Sequence, residues 1–156
     1  MIEGVDVHLT QYRTQVLLTC QQNKALVTPL RETVLDLILN RTGVVKAYDV
    51  LADMQKLRGN VAPPTVYRAL DFWADQGVLH KVAAVNGYVL CQNLHDHEAH
   101  HHALILLCNE CGEVKEVVAG PQWQAFKAGV ADQGFVLADE HMVLTGMCQR
   151  CQQTKQ

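Results

Sequence analysis

Apolar positions in the first half recur at helical spacing up to residue 77, and past it short strand-like runs appear, with one further helical stretch after Pro121. Leu9, Tyr12, Val16 and Cys20 mark one face and predict a helix over 8–23. Thr28 as N-cap and Pro29 at the first helical position open a second helix. Its stripe is Leu30, Val34, Leu35 and Ile38, and Asn40-Arg41-Thr42-Gly43 ends it. Ala47, Val50, Leu51, Met54 and Leu57 predict a third helix over 46–57, with Tyr48 off the apolar face and exposed. A fourth runs from Pro63-Pro64 to Gly77. Val66, Ala69, Leu70 and Trp73 form its buried side; Thr65, Tyr67, Arg68 and Asp71 point away.

A hairpin follows. Residues 78–82 and 88–91 flank Asn86-Gly87, the dipeptide favoured in two-residue type I′ loops. Such a loop pairs Val85 with Tyr88, Val82 with Cys91 and His80 with Asn93. His80, Val82, Cys91 and Asn93 then share one face, because strand side chains alternate. His80 and Cys91 become diagonal neighbours, with Cα atoms about 7–8 Å apart. Two readings fit that pair: two ligands of one metal ion, or a buried cysteine beside a surface histidine. Helices followed by a two-stranded wing make the winged form of the helix-turn-helix. Recognition helices dock N-terminal end first, so Arg68 can reach bases or phosphates, and Lys81 on the wing a phosphate.

The second half predicts a small α+β unit. A strand over 104–107 has a hairpin partner at 113–118. A helix follows from Pro121 to Gln133, with Trp123, Phe126 and Val130 at helical spacing. Residues 135–137 and 142–144 are expected as the last strands. An exposed strand edge and a limited core favour a dimer. The expected architecture is α+β: a winged-helix DNA-binding domain over 1–92, a His-rich hinge over 93–102 and a metal-bound dimerisation domain over 103–156.

Cysteine and histidine placement adds chemistry. Cys108-Asn109-Glu110-Cys111 and Cys148-Gln149-Arg150-Cys151 each set two thiolates two residues apart, with 36 residues between the pairs. Two such pairs complete a four-sulfur zinc site that staples a domain together, and Gly112 permits the turn after the first. Residues 95–102 hold five of the chain's eight histidines, of which one or two are expected as metal ligands. Cys20 reads as a small buried hydrophobe.

Charge is uneven under a formal net charge of −3. Residues 1–92 carry nine Lys/Arg and eight Asp/Glu, whereas 93–156 carry four and eight. Nucleic-acid binding would therefore use a local patch in the first half. The start of the chain lacks a signal-peptide pattern and no apolar run spans a membrane, so the expectation is a cytoplasmic protein with thiols reduced. A zinc hydrolase needs an open coordination position and a general base; the four-sulfur site offers no opening, no H-x-E motif occurs, and the H-E-x-x-H string from His97 to His101 falls in the His-rich hinge rather than on a predicted helix. The protein is thus expected not to be an enzyme. A thiol-redox sensor or zinc-storage protein would account for the cysteines and histidines, but not for the Tyr67-Arg68 helix or the wing.

Several of these segments together resemble the ferric uptake regulator family. They are Thr28-Pro29-Leu30-Arg31, Ala47-Tyr48-Asp49, the block from Pro63 to Phe72, Val89-Leu90-Cys91, the His-rich hinge and both C-x-x-C pairs. The likeness covers nearly the whole chain and is greatest to the zinc-responsive branch. There a cysteine stands at Cys91, where the iron branch usually has an acidic residue. An iron- or manganese-responsive member is the alternative; it would be expected to use oxygen and nitrogen ligands only.

The resemblance implies a zinc-responsive repressor that binds operator DNA as a homodimer, with two zinc ions per chain. The structural zinc maps onto Cys108, Cys111, Cys148 and Cys151. The regulatory zinc maps onto His80, Cys91, His101 and Glu116, with His100 and His102 adjacent as alternatives to His101. The DNA contacts map onto Tyr48, Thr65, Tyr67 and Arg68, with Arg31 and Lys46 on phosphates. His141 matches a ligand of a third site found in some members. Leu104 and Trp123 fill two other ligand positions of that site, so it is expected to be absent.

Overall fold

The computed structural model describes residues 3–92, 94, 103–118, 120–137 and 142–155. The chain divides into two compact units, Met1–Leu94 and His95–Gln156.

The first unit runs α1 (Glu3–Gln22), α2 (Pro29–Leu39), β1 (Val44–Val45), α3 (Ala47–Arg58), α4 (Pro63–Asp75), β2 (Leu79–Val82) and β3 (Gly87–Leu90). Helix α1 begins earlier than its apolar stripe indicates. Thr28 caps α2, its side chain accepting from the Arg31 N–H at 3.3 Å. Helix α4 stops at a Schellman cap, in which Gly77 takes φ +74 and the Val78 N–H reaches the Trp73 carbonyl at 2.9 Å.

The core gathers one face from each helix. Val16, Cys20, Val34, Leu35, Ile38, Val50, Met54, Val66, Leu70 and Trp73 are all buried. The Trp73 indole N–H donates to the Arg31 carbonyl at 2.9 Å, so this large ring is buried without stranding its polar atom. Leu57, expected on the apolar face of α3, is exposed because α3 reaches its last turn there, one residue before it ends at Arg58.

The wing differs from the expected two-strand hairpin in two ways. It has a third strand: the order is β1-β3-β2, with Val44 opposite Val89 and Val45 opposite Tyr88. Its loop is longer, since Ala83–Val85 form a 3₁₀ turn and Val82 pairs with Gly87. Asn86 does take the left-handed conformation, at φ 47. Gly87 serves a different purpose from the expected turn. A Cβ there would meet Val44 Cγ1 at 2.7 Å and the Val45 carbonyl at 3.0 Å, so the glycine admits β1 against β3.

The second unit comprises β4 (Ala103–Cys108), β5 (Val114–Val118), α5 (Pro121–Asp132), β6 (Met142–Gly146) and α6 (Gln149–Thr154). Its sheet has the order β5-β4-β6, with β4 antiparallel to β5 and parallel to β6. Ile105 and Trp123 are buried, and Trp123 stacks on Phe126 with ring centroids 5.5 Å apart. Residues 135–137, expected as a strand, belong instead to the cap of α5. The Phe135 N–H reaches back to the Val130 carbonyl and the Gly134 N–H to Ala131, which takes the segment's first donor away from any sheet. Helix α6 was absent from the sequence expectation. Among the described residues no helix is long and apolar enough to cross a membrane.

Candidate metal centres and nucleic-acid face

The four paired cysteines meet in the second unit. Strand β4 ends on Cys108, opposite Gly146 at the end of β6. The Asn109 N–H donates to the Gly146 carbonyl at 2.9 Å, fastening the first knuckle to the approach of the second. Gly112 supplies the left-handed turn after Cys111, at φ +73. Cys148 is the N-cap of α6, whose first turn carries Cys151.

The sulfurs of Cys108, Cys111, Cys148 and Cys151 all lie within 4.8 Å of one another. Cys111 and Cys148 are 3.7 Å apart, and all four thiols are free. A tetrahedral zinc with bonds of about 2.3 Å sets its sulfurs about 3.8 Å apart, so the cluster fits that ion. The surroundings favour thiolate at Cys108 and Cys111 and oppose it at Cys148 and Cys151. Backbone N–H groups of Cys148 and Cys111 hold the Cys108 thiol down to about 6. A hydrogen bond from Arg150 lowers Cys111. Cys151 is pushed up to about 12 by its hydrogen bonds with Cys111 and Cys148. Two ion pairs cross between the knuckles, Lys155–Glu110 at 2.8 Å and Arg150–Glu113 at 3.8 Å.

On the wing, His80 pairs with Val89 rather than Asn93, and Val82 with Gly87 rather than Cys91. The 3₁₀ turn lengthens the loop by two residues, and Val82 moves four positions along its partner. Four is even, so the face assignment survives. Cys91 lies opposite Val78, whose carbonyl takes the Cys91 N–H at 2.9 Å, and it remains diagonal to His80. One ring nitrogen of His80 and the Cys91 sulfur are within 4.8 Å. Both residues are buried, at 7% and 0% exposure, so the alternative of a surface histidine beside a buried cysteine is wrong. An imidazole and a thiol together in a dry site form a donor pair suited to zinc.

Glu116 sits half-buried on β5, opposite Ile105. His101, with the neighbouring histidines of 95–102, and His141 lie outside the described residues. Leu104 is half-buried on β4 and Trp123 is buried; neither offers a metal donor.

Four of the seven expected DNA contacts line a groove of the first unit. Its volume is about 330 Å³, and Lys46, Tyr48, Tyr67, Lys81, Asn86 and Tyr88 line it. Tyr48 is 77% exposed and Tyr67 49%. Arg68 is exposed on α4 and Thr65 half-buried, both outside the lining. The Lys46 ammonium donates to the Val85 carbonyl, which ties the start of α3 to the wing tip. Arg31 lies apart from the groove lining. Its guanidinium donates to the Leu26 carbonyl and stands 3.8 Å over the Phe72 ring. The contacts of Asp71 in this region escaped the sequence reading. Asp71 of α4 accepts from the Tyr88 hydroxyl at 3.0 Å and pairs with Lys81 at 3.4 Å. The observed register puts Lys81 opposite Tyr88, and both reach the acid on the exposed face of α4.

The ferric uptake regulator family model matches residues 22–145. The chain belongs to this family. It is 39% identical over 132 residues to the zinc uptake regulation protein of Escherichia coli strain K12, covering 85% of this chain and 76% of that one. The ferric uptake regulation protein of Bacillus subtilis strain 168 is also similar, at 30% identity over 129 residues, covering 80% of this chain and 84% of that one. Among solved structures, a zinc uptake regulator complexed with zinc and DNA aligns with a TM-score of 0.83 at 34% identity, covering 94% of this chain and 97% of that one. Holo XcZur aligns with a TM-score of 0.78 at 32% identity, covering 92% and 98%. The winged-helix and α/β halves found here are those of the family.

Proposed function

We propose that this family member is a zinc-responsive transcriptional repressor that binds operator DNA as a zinc-loaded homodimer and controls zinc uptake genes. The observation that carries the reading is the buried His80–Cys91 pair on one face of the wing. A thiolate beside an imidazole selects zinc over iron, which prefers oxygen and nitrogen donors. The likeness to a zinc uptake regulator solved with zinc and DNA supports the same choice.

Two zinc ions per chain complete the proposal. Cys108, Cys111, Cys148 and Cys151 hold the closed structural ion. His80, Cys91, His101 and Glu116 hold the exchangeable one. The wing pair supports the first two of these, and the family resemblance supplies His101 and Glu116. The exchangeable ion acts by differential affinity: it binds the DNA-competent state more tightly, so zinc raises that state's population. Tyr48, Thr65, Tyr67 and Arg68 face the bases, with Lys46, Lys81 and Arg31 on phosphates. The exposed aromatics and the lysines of the groove support four of these seven.

The test combines native mass spectrometry with a DNA-binding titration against buffered free zinc. The expected result is two zinc ions at saturation, one after mild chelation, and DNA binding only in the two-zinc form. Tight operator binding by the one-zinc form would overturn the reading.

A further inference from the structure

Tyr12 of α1 donates its hydroxyl to the backbone carbonyl of Cys91 at 2.6 Å, across 79 residues of sequence. The contact falls where β3 has just ended at Leu90 and the chain leaves the sheet. A buried carbonyl that runs out of strand partners needs another donor. Here α1, at the start of the unit's sequence, supplies it. The Cys91 N–H is fixed on its other side by the Val78 carbonyl at 2.9 Å. The peptide groups on both sides of the Cys91 α-carbon are therefore held, one by the sheet and one by α1. Its side chain is fully buried, with a His80 nitrogen within 4.8 Å of the sulfur. Tyr12 itself packs against the core, so its ring is not free to swing away.

We infer that Tyr12 is a positioning residue for Cys91, setting the direction of its sulfur toward the exchangeable zinc and so tuning zinc affinity from α1. This rests on the proposed regulatory role of Cys91. A metal gains most from ligands already ordered in its geometry, and outer-shell hydrogen bonds supply that order. The bond here acts through the backbone of the ligand, one step further out than a bond to the donor atom. Its loss should therefore weaken binding by about two- to tenfold, the span of one ordinary hydrogen bond.

The experiment compares Tyr12→Phe with the parent in the full-length protein carrying its structural zinc. Exchangeable zinc is titrated by competition with a chromophoric chelator. Cobalt(II) is then substituted, and the Cys91 thiolate-to-cobalt charge-transfer band is recorded. The ring is conserved in the variant, so packing is kept. The expected result is a two- to tenfold rise in the free-zinc midpoint with an altered band, and no change in the four-cysteine zinc. An unchanged midpoint and band, with only a lower melting temperature, would overturn the inference by making Tyr12 structural. Cys91→Ser, run in parallel, separates the two ideas. If it retains the parent's charge-transfer band and zinc midpoint, Cys91 is not a ligand, and the proposed regulatory site falls together with the inference.

Discussion

The hydroxyl of Tyr88 on the wing donates to the carboxylate of Asp71 on α4 at 3.0 Å, tying the wing to the helix expected to read DNA. Burial, and then the hydrogen bond to Asp71, push the Tyr88 phenol up to about 12. The native state thus keeps a proton that the unfolded chain releases near pH 10. The native advantage is complete below about pH 10 and is lost as pH rises toward 12. Tyr88→Phe should flatten that alkaline fall. Denaturant midpoints from neutral pH to pH 12, with phenolate absorbance followed in parallel, check it; an equal fall in the variant would remove Tyr88 as the cause.

Cys91→Ser should abolish zinc-dependent DNA binding and leave a folded dimer. The side chain is buried, but serine is smaller and retains a polar hydrogen-bonding tip, so the first unit should lose only about 1–2 kcal/mol. Operator binding at fixed free zinc, together with sedimentation, measures both parts. Parent-like repression would place zinc sensing elsewhere.

Cys108→Ser should behave differently. Cys108 ends β4 and receives the Cys148 N–H at its sulfur, 3.3 Å away. Removing one of the four proposed ligands would take away binding free energy that is also folding free energy. The variant should retain at most one zinc, lose the dimer and melt at markedly lower temperature. Strong chelation of the parent should reproduce this state, as read by calorimetry and sedimentation.

Arg68→Ala should weaken operator binding by about 1–3 kcal/mol, with little effect on random duplex. Lys81→Ala should weaken both duplexes alike and reduce the salt slope, because phosphate contacts act through counterion release. A binding series at several salt concentrations separates the two. Equal loss on both duplexes for Arg68→Ala would make it a phosphate contact and leave Tyr48 and Thr65 as the readers.

The helices of the first unit were legible because caps and apolar stripes are local signals. Thr28-Pro29 and the Val66/Ala69/Leu70/Trp73 stripe each needed only a few neighbouring residues. The wing was less legible because Gly87 has two possible uses. Beside Asn86 it reads as a turn residue, but β1, some forty residues earlier in the chain and only two residues long, needs it for close approach. No local pattern announces that demand. The His80–Cys91 relationship was still readable because alternation depends only on parity, and the register moved by an even number. Residues 135–137 failed for a related reason: a helix cap takes the donor that a strand would need. The Asp71–Tyr88 bond joins two elements whose mutual approach is set by the core, which sequence periodicity does not encode.

Strands β4 and β6 run in the same direction, so their ends fall at the same edge of the sheet. That is why two cysteine pairs 37 residues apart, counted from Cys111 to Cys148, arrive at one point. In an antiparallel arrangement the pairs would sit at opposite edges. Neither pair can close a tetrahedron alone. A ribosome that has made only the first has made half a coordination shell, open to solvent and to exchange. A metal held by the four proposed ligands could be locked in only after the crossover through α5 is complete and β6 has taken its place, so a filled four-sulfur shell would record that this half of the chain has been synthesised and correctly threaded.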